Sequence, residues 1–256
     1  MRSYTKTNPE KPLNSQKTKQ TKAENNSVNL VANADKNYRK EDGVRVPYSF
    51  IVIISGGEVR EKNYFRIISD QKRFRQIKIE FIADRAKLNP NGLRETAIYK
   101  QEHYKTSQED DPDKIFILSD VDHFTNDLLK IKSECENLGI HLIISNSCFE
   151  VWLYYSKFAT KPTDFPMPTD SRKISQSFKN YLDKKIKGGV NPVRVIFDIA
   201  ENIENARSNY IEMPNGIPEL FSTNMFILAE QLLPLISDEL SRISAEIELK
   251  TKFHKK

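Results

Sequence analysis

Apolar residues along the chain fall into short continuous runs, separated by stretches in which they recur at helical spacing. The first run, YSFIVII (48–54), is β-branched and aromatic, which fits a strand buried on both faces of a parallel sheet. It stops at Ser55-Gly56-Gly57, and EVREKNYFRIISDQ (58–71) then places Tyr64, Phe65, Ile67 and Ile68 at helical intervals. The alternation repeats. QIKIEFIA (76–83) predicts a strand, LRETAIYKQEHYK (93–105) a helix opened by Asn89-Pro90-Asn91-Gly92, and KIFILSD (114–120) another buried strand. An amphipathic helix near 124–138 is stopped by Gly139, IHLIIS (140–145) predicts the fourth strand, and CFEVWLYYSKF (148–158) is a strongly apolar helix. Four strands alternating with helices imply an α/β fold whose mostly parallel four-stranded sheet is flanked by helices through right-handed crossovers. Ligand sites in such sheets lie beyond the carboxyl ends of the strands, which singles out the loops 55–58, 119–124 and 145–150.

The flanks read differently. Pro162, Pro166 and Pro168 mark a linker, and helices follow at roughly 171–187, 193–209 and 219–249 with no strand among them. An α/β domain over 47–160 and a helical C-terminal subdomain over 161–256 are the expected division. Residues 1–46 are rich in Asn, Lys, Ser and Thr and lack the apolar surface that offsets chain entropy, so a disordered basic arm is expected there. The charge supports that partition. Residues 1–47 hold ten Lys and Arg against five Asp and Glu, which is the whole of the net +5, so the remainder is neutral. Such an arm serves as a solubilising tail or touches phosphate backbones through counterion release.

Composition narrows the class. No apolar run approaches the ~20 residues of a membrane-spanning helix, and MRSYTKTNPEKP lacks the apolar core of a secretion signal. Two cysteines, Cys135 and Cys148, make neither a disulfide framework nor a zinc site. A cytoplasmic location is the expectation.

Candidate chemistry concentrates in Ser119-Asp120-Val121-Asp122-His123. Carboxylates at i and i+2, where a buried strand ends, can point the same way and share a divalent cation. Asp122 is equally placed to cap the helix that begins near Phe124. His123 can contact a phosphate, a metal-bound water or a leaving group, or serve the helix start structurally. Gly56-Gly57 can cradle a phosphate through backbone N–H groups, or answer only to backbone geometry. Phe149, Trp152 and Tyr155 read as core, and Cys148 as a small buried residue with no histidine beside it. Lys72, Arg73, Arg75 and Lys78, and then Lys184, Lys185 and Lys187, are basic runs that either track a nucleic-acid backbone or form solvated surface.

Three of these segments carry a resemblance. ISGGEVREKNYF (54–65) resembles the opening signature of RloB-like proteins, in which a hydrophobic strand leads into an acidic-Gly-Glu turn, then Thr-Glu, then Asn-Tyr-Phe. SDVDH (119–123) resembles the family's Asp-x-Asp-x-His step, and SNSCFEVWLYY (145–155) its Ser-Asn-Pro-x-Phe-Glu-x-Trp-Leu segment. A weaker similarity runs through Ala200, Ala206 and STNMFILAEQLL (222–233), so the likeness spans about residues 48 to 235. It implies a Toprim-like (Rossmann-like) domain with an acidic residue after the first strand and an Asp-x-Asp after the third. It also implies a Mg²⁺- or Mn²⁺-dependent nuclease of bacterial anti-phage defence, abortive infection included, acting on DNA or RNA. The resemblance further implies an RloA-like ABC-type ATPase as partner; the chain has no GxxxxGK[ST] phosphate loop, so any ATP hydrolysis is expected to come from another protein. Self-association is left open.

The chain departs from the pattern where it matters. Gly56 occupies the position of the first acid, and Ser145-Asn146-Ser147 lacks the family's proline. Glu58 lies two residues on, Glu61 one helical turn further, and Glu150 at the same sheet edge. A site rebuilt from Glu58, Asp120, Asp122 and Glu150 as metal ligands, with His123 beside them, is one expectation. A catalytically degenerate scaffold that keeps only binding is the other.

Overall fold

The computed structural model describes residues 50–71, 74, 77–82, 84–106 and 114–253. The expected basic arm over 1–46, and Lys72, Arg73 and Arg75 of the basic stretch, lie outside them. The described residues belong to one compact unit, Pro47–Lys256.

The sheet has the order β2-β1-β3-β4-β5, with β1 (Ile51–Ser55), β2 (Ile77–Phe81), β3 (Lys114–Asp120) and β4 (Ile140–Asn146) all parallel. The four strands read from the sequence are present. The sheet nevertheless has five, because β5 (Ser222–Thr223) pairs antiparallel with the end of β4, in the segment expected to be purely helical. A two-residue strand has no periodicity to read, and side chains hold this one. Asn224 accepts the Ile144 N–H at 2.6 Å and donates to the Leu142 carbonyl at 3.2 Å, while the Ser145 and Thr223 hydroxyls bond across the pair at 2.8 Å.

Burial on both faces explains the uninterrupted apolar runs. Val52 and Ile54 of β1 pack with Leu93 and Ala97 of α3 (Pro90–Thr106) and with Ile131 and Cys135 of α4 (Thr125–Asn137). Ile51 and Ile53 point to the opposite face, into a larger core that holds Tyr64, Phe65, Trp152, Phe178 and Leu228. The sheet and the C-terminal helices therefore share one core across residue 160.

The helix predicted over 58–71 is two short ones, α1 (Arg60–Tyr64) and α2 (Arg66–Asp70), broken at Phe65. Adjacent residues lie about 100° apart around a helix, yet Tyr64 and Phe65, at the break, are both fully buried. α3 starts ahead of its apolar periodicity because Pro90 takes the first helical position and Asn89 accepts the Gly92 N–H at 3.0 Å. Gly139, at φ +70°, follows α4 as expected. All six residues of α5 (Glu150–Tyr155) are buried. α6 (Ile174–Lys185), α7 (Pro192–Val195), α8 (Ile199–Ser208) and α9 (Met225–Phe253) complete the unit. Among the described residues no helix is long and apolar enough to cross a membrane.

Candidate functional site

β1 and β3 end side by side, with Ser55 level with Leu118. Beyond them lies a cleft of about 370 Å³ lined by Gly56, Gly57, Glu61, Asp120, Glu150 and Lys179 among others. Three elements bring carboxylates to it: Asp120 is the last residue of β3, Glu61 stands in α1, and Glu150 opens α5.

Their mutual effect is strong. Burial raises the proton affinity of Asp120 well above the usual carboxylate range, and the charges of Glu61, Glu150 and Asp122 raise it further, with Lys179 opposing. Burial likewise lifts Glu61, from an ordinary 4.5 to about 7, with Glu150 adding to the rise. Glu150, only 3% exposed, is crossed by two cations: Arg60 Nε at 3.7 Å and Lys179 Nζ at 3.8 Å. Arg60 is held as well by the Val190 carbonyl (3.3 Å) and by Asp183 (3.5 Å). Partial burial works against the Lys179 charge, yet Glu150, Cys148 and Asp120 together raise its proton affinity above that of an ordinary lysine.

The carboxylate that meets Asp120 is thus Glu61, not Glu58. Glu58 is 58% exposed at the mouth of the cleft, 3.8 Å from Arg85, and is not among the charges that act on Asp120. The two glycines explain how. A Cβ on Gly57 would occupy the space of the Glu61 carboxylate, so the glycine makes room for an acid arriving from the following helix. Its N–H already donates to Ser55 Oγ at 3.0 Å, which removes it as a phosphate donor. At Gly56, by contrast, a Cβ would meet Leu88 Cδ2 at 3.4 Å, an ordinary contact, so neither space nor backbone requires glycine there.

Asp122 does not cap α4, whose N-terminus has no side-chain cap. It takes φ +31°, rare for a residue with a side chain. Its Oδ1 accepts from Ser175 Oγ of α6 at 3.0 Å, and its Oδ2 lies 3.1 Å from His123 Nδ1. His123 is 65% exposed and leans on Phe124. The i, i+2 aspartates therefore face different neighbours, Asp120 the acidic cluster and Asp122 the α6 serine. Phe149, Trp152 and Tyr155 are core, and burial holds the Cys148 thiol well above its usual range. Of the basic residues, Lys78 lies over the Phe50 and Tyr104 rings, and Lys185 is spent on Asp164 at 2.7 Å.

Lys179 and Ser175 come from the C-terminal helices, where the sequence offered only the basic run Lys184, Lys185 and Lys187 as candidate chemistry. One signal marks them. Ser175, Phe178, Lys179 and Leu182 are spaced i, i+3, i+4, i+7, so two polar residues sit on the apolar stripe of α6. Glu61 stands in the same relation to Tyr64, Phe65 and Ile68.

The donor set fits a hard divalent cation. Glu61 and Asp120 offer carboxylate oxygens that burial and mutual repulsion leave in need of positive charge. Among the described residues no three His, Cys, Asp or Glu side chains enclose an ion by themselves. Mg²⁺ characteristically takes one or two carboxylates and completes its shell with water and phosphate.

A mostly parallel α/β sheet with an acidic cleft at its carboxyl edge defines the class. Within that class, the chain belongs to the RloB-like family: the family model described as RloB-like protein matches residues 51–232, from β1 into α9. No curated protein and no solved structure matches it.

Proposed function

We propose that this RloB-like chain is a divalent-metal-dependent nuclease with a Toprim-type domain, acting on DNA or RNA phosphodiesters in anti-phage defence under an RloA-like ABC-type ATPase. The observation that carries the reading is the convergence of Glu61 and Asp120 in the cleft at the carboxyl edge of the sheet, within the span that matches the family. Asp120 and Glu61 would hold Mg²⁺ or Mn²⁺, which supplies positive charge for the attacked phosphate. As a ligand Glu61 would bind the ion as a carboxylate, giving up the proton that burial favours in the metal-free cleft. Asp122, fixed by Ser175, orients His123 at the rim. Glu150 neutralises and positions the cations.

The test compares wild type with Asp120→Ala/Asp122→Ala on a mixed DNA and tRNA panel in Mg²⁺ and in Mn²⁺. Cleavage lost in the double variant and in EDTA is expected. Gly56 favours a second reading, a degenerate scaffold within a defence assembly. Wild type that neither cleaves, with the partner ATPase added, nor binds Mn²⁺ would decide for it.

A further inference from the structure

Resting on the nuclease reading, and extending it to the ligand, we infer that Lys179 is the residue that contacts the substrate phosphate, with Glu150 as its positioning residue. The two cations over Glu150 differ in what they have left to give. Arg60 spends two donors, on the Val190 carbonyl and on Asp183, and lies 3.7 Å from Glu150. Lys179 touches Glu150 at 3.8 Å, an ion-pair distance beyond hydrogen-bond length, and makes no hydrogen bond to a described residue. An ammonium carries three donors, and here all three remain unspent on a side chain 37% exposed at the cleft.

The position suits a phosphodiester. Lys179 rises from the stripe of α6 that packs into the core through Phe178 and Leu182, so the helix, not a mobile loop, sets its place. Glu150 lies 3.8 Å from its head group, and Asp120 and Glu61 line the same cleft. A ligand here must offer an anionic oxygen to Lys179 while tolerating two carboxylates. A phosphate bridging a cation on Asp120 and Glu61 to the ammonium satisfies both demands; a simple carboxylate ligand leaves the acids less well matched. The C-terminal helices would thereby complete the binding site at the edge of the sheet.

The experiment is binding of a fluorescein-labelled 20-nucleotide single strand by anisotropy, in Ca²⁺ and in EDTA across a salt series. Lys179→Gln should weaken binding about tenfold or more in Ca²⁺, as loss of a charged hydrogen bond does, and lower the salt slope by about one. Lys179→Arg should restore most of the affinity, and the exposed Lys184→Gln should bind as wild type does. Glu150→Gln should lose affinity while Lys179 is present and add little once it is gone. Melting temperatures of each variant separate these effects from misfolding. Lys179→Gln within twofold of wild type and with an unchanged salt slope overturns the inference, as does wild type that binds no strand. Cleavage assayed in parallel keeps the two readings apart. A wild type that binds through Lys179 but never cleaves removes the nuclease and leaves the contact. One that cleaves equally well without Lys179 removes the contact and leaves the nuclease.

Discussion

Glu61→Gln should stabilise the metal-free protein, and only above a particular pH. In the folded chain Glu61 keeps its proton to about 7, against an ordinary 4.5. A group whose folded proton affinity exceeds the unfolded one contributes stability that is full below the unfolded value and is lost as pH rises through the folded value. At about 1.36 kcal/mol per pH unit, the window from 4.5 to about 7 corresponds to roughly 3 kcal/mol of destabilisation at pH 8. A buried amide carries a desolvation cost of its own, so the gain from glutamine should be about 1–3 kcal/mol. Removing Glu61 also lifts the largest charge acting on Asp120, which adds in the same direction. The assay is urea denaturation of EDTA-treated wild type and Glu61→Gln between pH 5 and 8.5. The variants should nearly coincide at the acid end and separate progressively toward pH 8. Mg²⁺ should narrow the difference there or reverse it, since an ion that binds only the folded wild type at 100 times its Kd contributes about 2.7 kcal/mol. A Glu61→Gln protein no more stable than wild type at pH 8, or equally stabilised at pH 5, would refute the electrostatic account of the cleft.

Three further perturbations separate chemistry from folding. Gly57→Ala should lower cleavage and Mn²⁺ affinity at least tenfold with a melting temperature near that of wild type, because the methyl group displaces only the free end of Glu61. Gly56→Glu should fold, since a Cβ there makes an ordinary contact, and should lose stability as pH rises toward 8 in EDTA by adding another carboxylate; urea melts at two pH values read both points. Asn224→Ala should cost about 1–3 kcal/mol in urea denaturation, because it strips hydrogen bonds from Ile144 and Leu142 where β5 is held to β4.

The α/β alternation was legible because strands buried on both faces leave continuous apolar runs, and β1 and β3 are buried through Ile51–Ser55 and Ile115–Leu118. β5 was not legible, since its place depends on the Asn224 amide and a pair of hydroxyls and not on any hydrophobic pattern. Asp120 and Glu150 could be placed at the cleft because each adjoins the end of a readable strand. Glu61 and Lys179 could not be placed from loop position alone. Each stands within a helix, so its reach depends on how α1 and α6 pack into the core through Tyr64, Phe65 and Phe178.

That dependence accounts for how a chain can lack an acid at Gly56 and still carry one at the same edge. A carboxylate borne directly after β1 needs only the strand to position it. One borne by Glu61 depends on α1, which carries it to the cleft, and on the missing side chain at Gly57, which gives its head group room. Tyr64 and Phe65 are both buried at the break, and α1 and α2, with five residues each, are too short to be stable without the core beneath them. Glu150 adds a buried charge that stays tolerable only through Arg60 and Lys179, and breaking such a buried pair is characteristically costly. A domain kept solely as a scaffold would gain stability by losing Glu61 or Asp120, whereas this one retains both in a cleft that Lys179, with its donors unspent, also lines.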